Sequence, residues 1–119
     1  MKQERLIKAY LVLDKLSKVS FPLSISCKIF QMKELIEPQY KFQDQEEKKS
    51  FSDNNGYFNK DNKMSFPTID DYRRFDERMK ELRDLDVDIA ITPITIPIND
   101  NILLSANDVQ DLRGFVDFI

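Results

Sequence analysis

The 119-residue sequence contains no histidine and only two glycines, Gly56 and Gly114. Without histidine, most hydrolase triads, cysteine-histidine nucleophiles and imidazole metal centres are excluded. Two glycines are too few for a P-loop or for a dinucleotide-binding fingerprint. The single cysteine, Cys27, excludes an internal disulfide. These absences favour a protein that is not an enzyme and has no catalytic, cofactor or metal site.

Long hydrophobic runs are absent as well. No stretch is long enough to span a bilayer, and the first residues lack the apolar core of a signal peptide. We therefore expect a cytosolic or virion-internal protein that is not secreted by a signal peptide and makes no membrane contact. The length and the hydrophobic fraction of 41% are those of one globular domain, residues 1–119, that buries its own core.

Charge is unevenly distributed along the chain, whose net charge is −3. Residues 1–20 contain five basic and two acidic side chains, whereas residues 87–119 contain one basic and five acidic. A nucleic-acid-binding protein would show a basic stripe, so we expect no nucleic-acid partner. The gradient either helps the acidic C-terminal part to lie near the basic first helix or is ordinary surface charge, and both interpretations stay open.

The first 49 residues predict two helices in an antiparallel hairpin that bends at Ser20-Phe21-Pro22. Each helix has one apolar stripe at steps of three and four residues. The stripes consist of Leu6, Ala9, Tyr10, Leu13 and Leu16, and of Ile25, Ile29, Met32, Ile36 and Tyr40. Pro38 predicts a kink or a break in the second helix. The polar stretch Gln39–Lys49 is typical of a solvated helix end.

Residues 50–119 are expected to fold back onto this hairpin, beginning with a polar, exposed segment at 51–66. Asn55-Gly56 predicts the two-residue turn of a small β-hairpin, because both residues tolerate positive φ. The acidic and amide residues around this turn resemble a calcium loop: Asp53, Asn55, Asn59 and Asp61. The glycine position and the missing final glutamate argue against that interpretation. We expect the segment to be dispensable for folding.

A third helix is predicted after Thr68, the N-cap, with Asp71 as its capping partner. Its apolar stripe consists of Tyr72, Phe75, Met79 and Leu82. The arginines between these residues suggest either an anion site or a solvent face with paired charges. We favour the paired face, because each arginine has an acidic neighbour within one turn.

Asp86–Ile91 alternates as a β-strand, and the apolar phase shifts by one residue at Pro93. Pro93 and Pro97 predict an edge strand, for which the 57–66 segment is the expected partner. Ser105 and Asp108 predict a final helix with Val109, Leu112 and Phe115-Val116 on its face, and the apolar C-terminus, Phe118-Ile119, is expected to be docked. A C-terminal helix over the isoleucine-rich edge would cover it, and so would a second copy. The predicted fold is therefore α+β: a helical hairpin, a small antiparallel β element and two further helices.

The side chains with potential reactivity are one cysteine and one pair of glutamates. Cys27 lies near Ile25 and Ile29, which predicts a partly buried and inert thiol. Glu34 and Glu37 form the best carboxylate pair for an enzyme that uses carboxylates alone, but they flank a packed helix face and such chemistry also needs a pocket.

The order of these parts resembles a family of small tailed-phage and prophage proteins. The residues that carry the resemblance are Leu6-Ile7-Lys8-Ala9-Tyr10, Glu37-Pro38, Asn55-Gly56, Asp71 with Phe75 and Leu82, Val87-Asp88, and Leu104-Ser105 with Asp108. Its members usually have a longer, charged turn where this chain has Ser52-Asp53-Asn54-Asn55-Gly56. The resemblance implies a phage setting, in the host cytoplasm or the virion, and supplies no site residue.

Two functions are compatible with this setting. The first is a non-enzymatic phage or prophage accessory or structural protein that acts through protein–protein interaction. The second is a phage inhibitor of a host defence system, which binds a protein or a nucleotide signal. A protein partner or self-association is expected in the first case, and a closed homodimer is favoured.

Overall fold

Two long helices determine the shape of the molecule, and the computed structural model describes all residues, 1–119. Helix α1 spans Gln3–Leu16 and helix α2 spans Leu23–Asp53. They run antiparallel: the ring of Tyr10 stacks on that of Tyr40 at 4.5 Å, and one turn later Asp14 has a carboxylate oxygen 2.8 Å from Nζ of the earlier residue Lys33. The predicted apolar stripes face each other, with Tyr10, Ile25 and Tyr40 partly buried at their margins. The helical hairpin is therefore confirmed.

Helix α2 continues through Pro38. Of the kink or break predicted there, the break is therefore wrong. Proline removes one backbone hydrogen bond from a helix and costs about 3 kcal/mol. Burial of Ile36 before it and of Ser50 after it holds both halves of the helix in place. The expected solvated end at Gln39–Lys49 is also wrong in part, because the helix extends to Asp53 and Glu46 binds Arg78 of the next helix at 3.2 Å.

The Asn55-Gly56 pair ends α2 and does not form a hairpin turn. Asn55 has a φ of 59°, and the Gly56 N–H donates to the Phe51 carbonyl at 2.8 Å while the Asn55 N–H donates to Ser52. These two bonds form a Schellman motif, which satisfies carbonyls at the end of a helix. Asn-Gly suits a helix end and a hairpin turn equally well. The prediction therefore failed because the helix continued further than expected.

A small antiparallel hairpin follows, formed by β1, Tyr57–Phe58, and β2, Met64–Ser65. Its turn is made by Asn59, whose Oδ1 accepts hydrogen bonds from the N–H groups of Asp61 and Lys63. The hairpin is anchored by a cluster of aromatic rings: Phe51, Phe58, Phe66, Tyr72 and Phe75. The expected exposure of the segment is correct at its tip and wrong for Phe51 and Phe66, which are half-buried.

Helix α3 spans Ile69–Arg83 and begins as predicted. Thr68 Oγ1 accepts a hydrogen bond from the Asp71 N–H at 3.1 Å, which confirms the N-cap. Met79 and Leu82 of the predicted stripe are buried, Phe75 is half-buried and Tyr72 is exposed.

From Val87 to Thr92 half-buried and exposed residues alternate as in an extended chain, but no strand forms, so the predicted strand at Asp86–Ile91 is wrong. The predicted alternation is correct: Val87, Ile89 and Ile91 pack against the core. Pairing is limited to the start of the segment, where Lys2 and Asp86 form an antiparallel bridge.

The β-strand in this region is β3, Ile94–Ile96, and it pairs in parallel with β4, Val116–Phe118. The expected pairing with residues 57–66 is therefore wrong. Helix α4, Ala106–Asp111, precedes β4 and carries the predicted capping box of Ser105 and Asp108. The backbone of the C-terminal residues is docked as predicted, but as strand β4, whereas the sequence offered the final helix or a second copy as the cover; the Ile119 side chain stays 72% exposed. The helix ends at Asp111, so the predicted place of Phe115-Val116 on its face is wrong, and Val109 is exposed.

The core joins the two ends of the chain. Lys15 Nζ of α1 lies 3.1 Å from Asp108 Oδ2, and the hydrogen bond from Lys15 lowers the pKa of that carboxyl group. The Arg5 guanidinium lies 5.7 Å from the centre of the Phe115 ring. The acidic C-terminal part thus lies against the basic first helix. The buried apolar residues are Leu6, Ala9, Val12, Leu13, Leu16, Ile29, Met32, Ile36, Ile94, Ile96, Leu112, Phe115 and Val116.

Gly56 provides a direct test of the helix end and the aromatic cluster. A Cβ atom on Gly56 would lie 2.3 Å from Cδ2 of Phe51. Gly56→Ala must therefore displace this ring, and we expect a loss of about 1–3 kcal/mol in the free energy of unfolding, measured by urea denaturation. Asn62→Gly is the control, because Asn62 also has a positive φ, of 58°, and is exposed with no hydrogen bond from its side chain, so stability should be kept. Wild-type stability of Gly56→Ala would contradict this packing.

Candidate functional site

An open groove follows one side of α2 from Lys28 to Asn54. Its other wall is formed first by residues 85–95 and then by α3. Phe42 and Leu85 line two adjacent depressions at once, and Glu46 and Arg78 line the next two, so the groove is continuous from Phe42 to Arg78. We call it the α2 groove.

The end of the α2 groove near Lys28 is mostly apolar. A depression of about 370 Å³ lies between α2 and the extended segment, and its lining includes Met32, Leu35 and Ile94. Lys28 stands at its rim and makes no ion pair within the chain. Further along, Leu35, Phe42 and Leu85 expose 46%, 38% and 45% of their surface. The groove therefore presents three large apolar side chains to solvent.

The other end of the α2 groove is polar and contains Arg74 and Arg78 beside Lys49 and Asp53. Both guanidinium groups are already engaged. Arg74 binds Asp71 and donates to Asn54 Oδ1 at 3.1 Å, and Arg78 lies 3.2 Å from Glu46. These ion pairs agree with the paired-charge interpretation of α3, and they leave neither arginine free for an anion.

Asp71 is the central residue of this polar end. It is buried and accepts hydrogen bonds from Thr68 Oγ1 at 2.8 Å, from Asn55 Nδ2 at 3.4 Å and from Arg74. These donors, the Thr68 hydroxyl first, lower the pKa of the Asp71 carboxyl group. Through these bonds Asp71 joins the end of α2 to α3. It is poorly suited to act as a base, because a carboxylate that is held ionised is a weak proton acceptor.

The extended segment beside the apolar end has a free backbone. From Asp88 to Thr92, no N–H or C=O group takes part in a backbone hydrogen bond, and no side chain binds them. The neighbouring strand β3 is different. Ile94 and Ile98 donate to the carbonyls of Phe115 and Ile119. Because successive residues of a strand point their backbone groups to opposite edges, those of residues 93, 95 and 97 point away from β4.

Two of those three outward residues are Pro93 and Pro97, which have no N–H group. Proline on an exposed edge prevents another strand from pairing there. The free edge of β3 is therefore blocked, whereas residues 88–92 contain no proline and no lysine. This contrast was not visible in the sequence, because it depends on which neighbour each strand has.

Most of the residues singled out in the sequence lie outside the α2 groove, whereas Asp53, Arg74 and Arg78 line its polar end. Glu34 is exposed and Glu37 pairs with Lys41 at 3.7 Å, so the proposed carboxylate pair has no pocket of its own. Asp53 ends α2, while Asn59 uses its side-chain oxygen to hold the hairpin turn. No group of three or more His, Cys, Asp or Glu side chains is arranged to hold a metal ion.

Cys27 is exposed, so its predicted burial is wrong. Residues two apart on a helix are separated by roughly 200° around the axis, and Cys27 therefore lies away from the face of Ile25 and Ile29.

None of the helices is both long and apolar enough to cross a membrane. Comparison with known proteins gave no match to any protein-family model, to any curated protein or to any solved structure.

The polar end predicts a specific pH dependence. A lowered pKa in the folded state means that Asp71 stabilises the fold above its unfolded pKa of about 3.9, and that this contribution disappears as the pH falls through the lower folded value. Asp71→Asn should therefore have a lower Tm than wild type at pH 7, and the difference should shrink below about pH 4. Thermal unfolding across this range measures both effects. A difference in Tm that is the same at pH 3 and pH 7 would contradict this role.

Proposed function

We propose that this protein acts by binding another protein and catalyses no reaction of its own. In the phage setting that the sequence resemblance implies, it would be a phage or prophage accessory or structural protein. The α2 groove supports this function, because Leu35, Phe42 and Leu85 are exposed along it. Clustered exposed apolar residues with polar residues at their margins are typical of protein interaction sites.

The chemistry of the groove favours a protein over a small anionic ligand. A nucleotide would need free cationic groups for its phosphates. The two arginines at the polar end are bound to Asp71 and Glu46. Each end of the groove offers one unpaired cation, Lys28 at the apolar end and Lys49 at the polar end, and these lie roughly 30 Å apart along α2. A peptide or protein surface matches the groove better, because it can present apolar side chains to Leu35 and Phe42.

Inhibition of a host defence system is the alternative role, and through the α2 groove it would also be exerted on a protein. The two roles use the same contacts and differ in the identity of the partner. Gene neighbourhood distinguishes them, since tail and lysis genes favour the accessory role and a cluster of defence antagonists favours inhibition.

The proposed function is tested by substitution within the α2 groove. Leu85→Asp should weaken capture of the partner by about tenfold, because burying a leucine contributes roughly 1.5–3 kcal/mol and each 1.4 kcal/mol is a factor of ten. Leu11→Asp is the matched control, since Leu11 is 50% exposed on α1 and lies outside the groove. Tagged wild-type and variant chains are incubated with lysate of infected host cells, and captured proteins are quantified by mass spectrometry.

Retention by Leu11→Asp and loss by Leu85→Asp supports the function, provided that both variants melt near the wild-type temperature. Equal capture by both variants, or no protein enriched over an untagged control, would contradict it.

A further inference from the structure

We infer that the open backbone of residues 88–92 is a pairing edge for a second copy of this chain. The two segments would run antiparallel about a twofold axis at Ala90. This inference rests on the proposed function and names the partner that occupies the apolar end of the α2 groove.

The first argument is the absence of backbone partners over five consecutive extended residues. Their N–H and C=O groups are unbonded from Asp88 to Thr92, and five extended residues span about 17 Å. The chain protects the edge of β3 with Pro93 and Pro97, yet residues 88–92 carry only one charged side chain, Asp88. An unprotected extended edge is a template for another strand.

The second argument is the register. In an antiparallel pair centred on Ala90, each Ala90 faces the other, Ile89 faces Ile91, and Asp88 faces Thr92. No like charges stand opposite each other, whereas centring on Asp88 would oppose two carboxylates. Alternation keeps Ile89 and Ile91 on the core side, where they already pack, and leaves the small side chain of Ala90 at the axis. A small residue there permits close approach.

The third argument is charge complementarity. Lys28 lines the same depression as Ala90 and Thr92, and Asp88 lies further along the groove. Neither Lys28 nor Asp88 has an ion-pair partner in its own chain. Because Asp88 of one copy faces Thr92 of the other, antiparallel pairing brings each Asp88 to the other copy's Lys28. The symmetry makes this contact twice.

A short ladder alone buries less than the roughly 800 Å² per partner of a stable interface. The exposed side chains of Leu35, Phe42 and Leu85 lie along the same groove and supply apolar area beside the ladder. A twofold arrangement uses this surface on both copies and closes, so that no free edge remains.

Cross-linking at the axis tests the geometry. In a Cys27→Ser background, Ala90→Cys should form a disulfide-linked dimer on mild oxidation, because directly opposed residues have Cα atoms roughly 4.5–5.5 Å apart, within the range of a disulfide. Thr92→Cys alone should stay monomeric under these conditions, whereas a mixture of Thr92→Cys and Asp88→Cys chains should link. Leu11→Cys is the control for random collision, since Leu11 is exposed and far along α1 from this edge.

Charge exchange tests the register independently. Lys28→Asp and Asp88→Lys should each weaken dimerisation by about tenfold, as measured by light scattering over a concentration series. The double variant carries the same charges in exchanged positions and should recover wild-type association. Circular dichroism verifies that all variants are folded.

A wild-type monomer at every concentration, or linking of Leu11→Cys as fast as Ala90→Cys, would overturn the inference. The proposed function would then still stand if Leu85→Asp, unlike Leu11→Asp, lost capture of a foreign protein. Both the proposed function and the inference would be contradicted if Leu85→Asp affected neither self-association nor capture.

Discussion

The burial of one face of α2 is the constraint on which the rest of the structure depends. Ile29, Met32 and Ile36 are buried in one core with residues of α1 and of the β3–β4 pair. Each such side chain contributes roughly 1.5–3 kcal/mol when it leaves water. Because α2 is packed on both sides of Pro38, by Ile36 before it and by half-buried Tyr40 and buried Ser50 after it, the helix remains continuous where its local sequence predicts an interruption. The continuous helix then provides one wall of the whole groove.

The same constraint accounts for the open edge. Helix α3 is joined to α2 by the aromatic cluster and by the Arg78–Glu46 ion pair, while β3 is fixed in the core by β4. The chain between them must cross from one to the other along α2. Its isoleucines reach the core on one side, and the only paired part is the beginning, against residues 1–3. Residues 88–92 are thus held extended by their two ends, without a partner for their backbone groups.

Local patterns in the sequence predicted the parts of the fold that local forces determine. The stripes of α1 and α2, the Thr68 cap and the Ser105–Asp108 capping box all depend on residues within a few positions of each other. The failures have longer range. The partner of Ile94–Ile96 lies about twenty residues away in a parallel pair, and no periodicity reveals such a pairing. Asn55-Gly56 suits two structures, and the length of α2 decided between them.

The candidate site could not be predicted, because it consists of backbone groups and apolar side chains that find no partner in the folded chain. The phase shift at Pro93 was visible in the sequence, but its consequence was not. Only the bonds from Ile94 and Ile98 to β4 show that both prolines face the free edge. The α2 groove likewise depends on the distance between α2 and a segment sixty residues away, whereas Leu35 and Phe42 look in the sequence like ordinary surface residues of an amphipathic helix.

Hydrogen exchange at individual backbone amides tests the central claim most directly. The amides of Ile94 and Ile98, bonded to Phe115 and Ile119, should be protected at every protein concentration. All amides between residues 88 and 92 should exchange rapidly in dilute solution. The alternate amides that face the second copy should become protected as the concentration rises into the range where dimers form, because only every other N–H of a strand points to one neighbour. Protection of residues 88–92 in dilute solution, or rapid exchange of all these amides in a sample that is fully dimeric, would contradict the account.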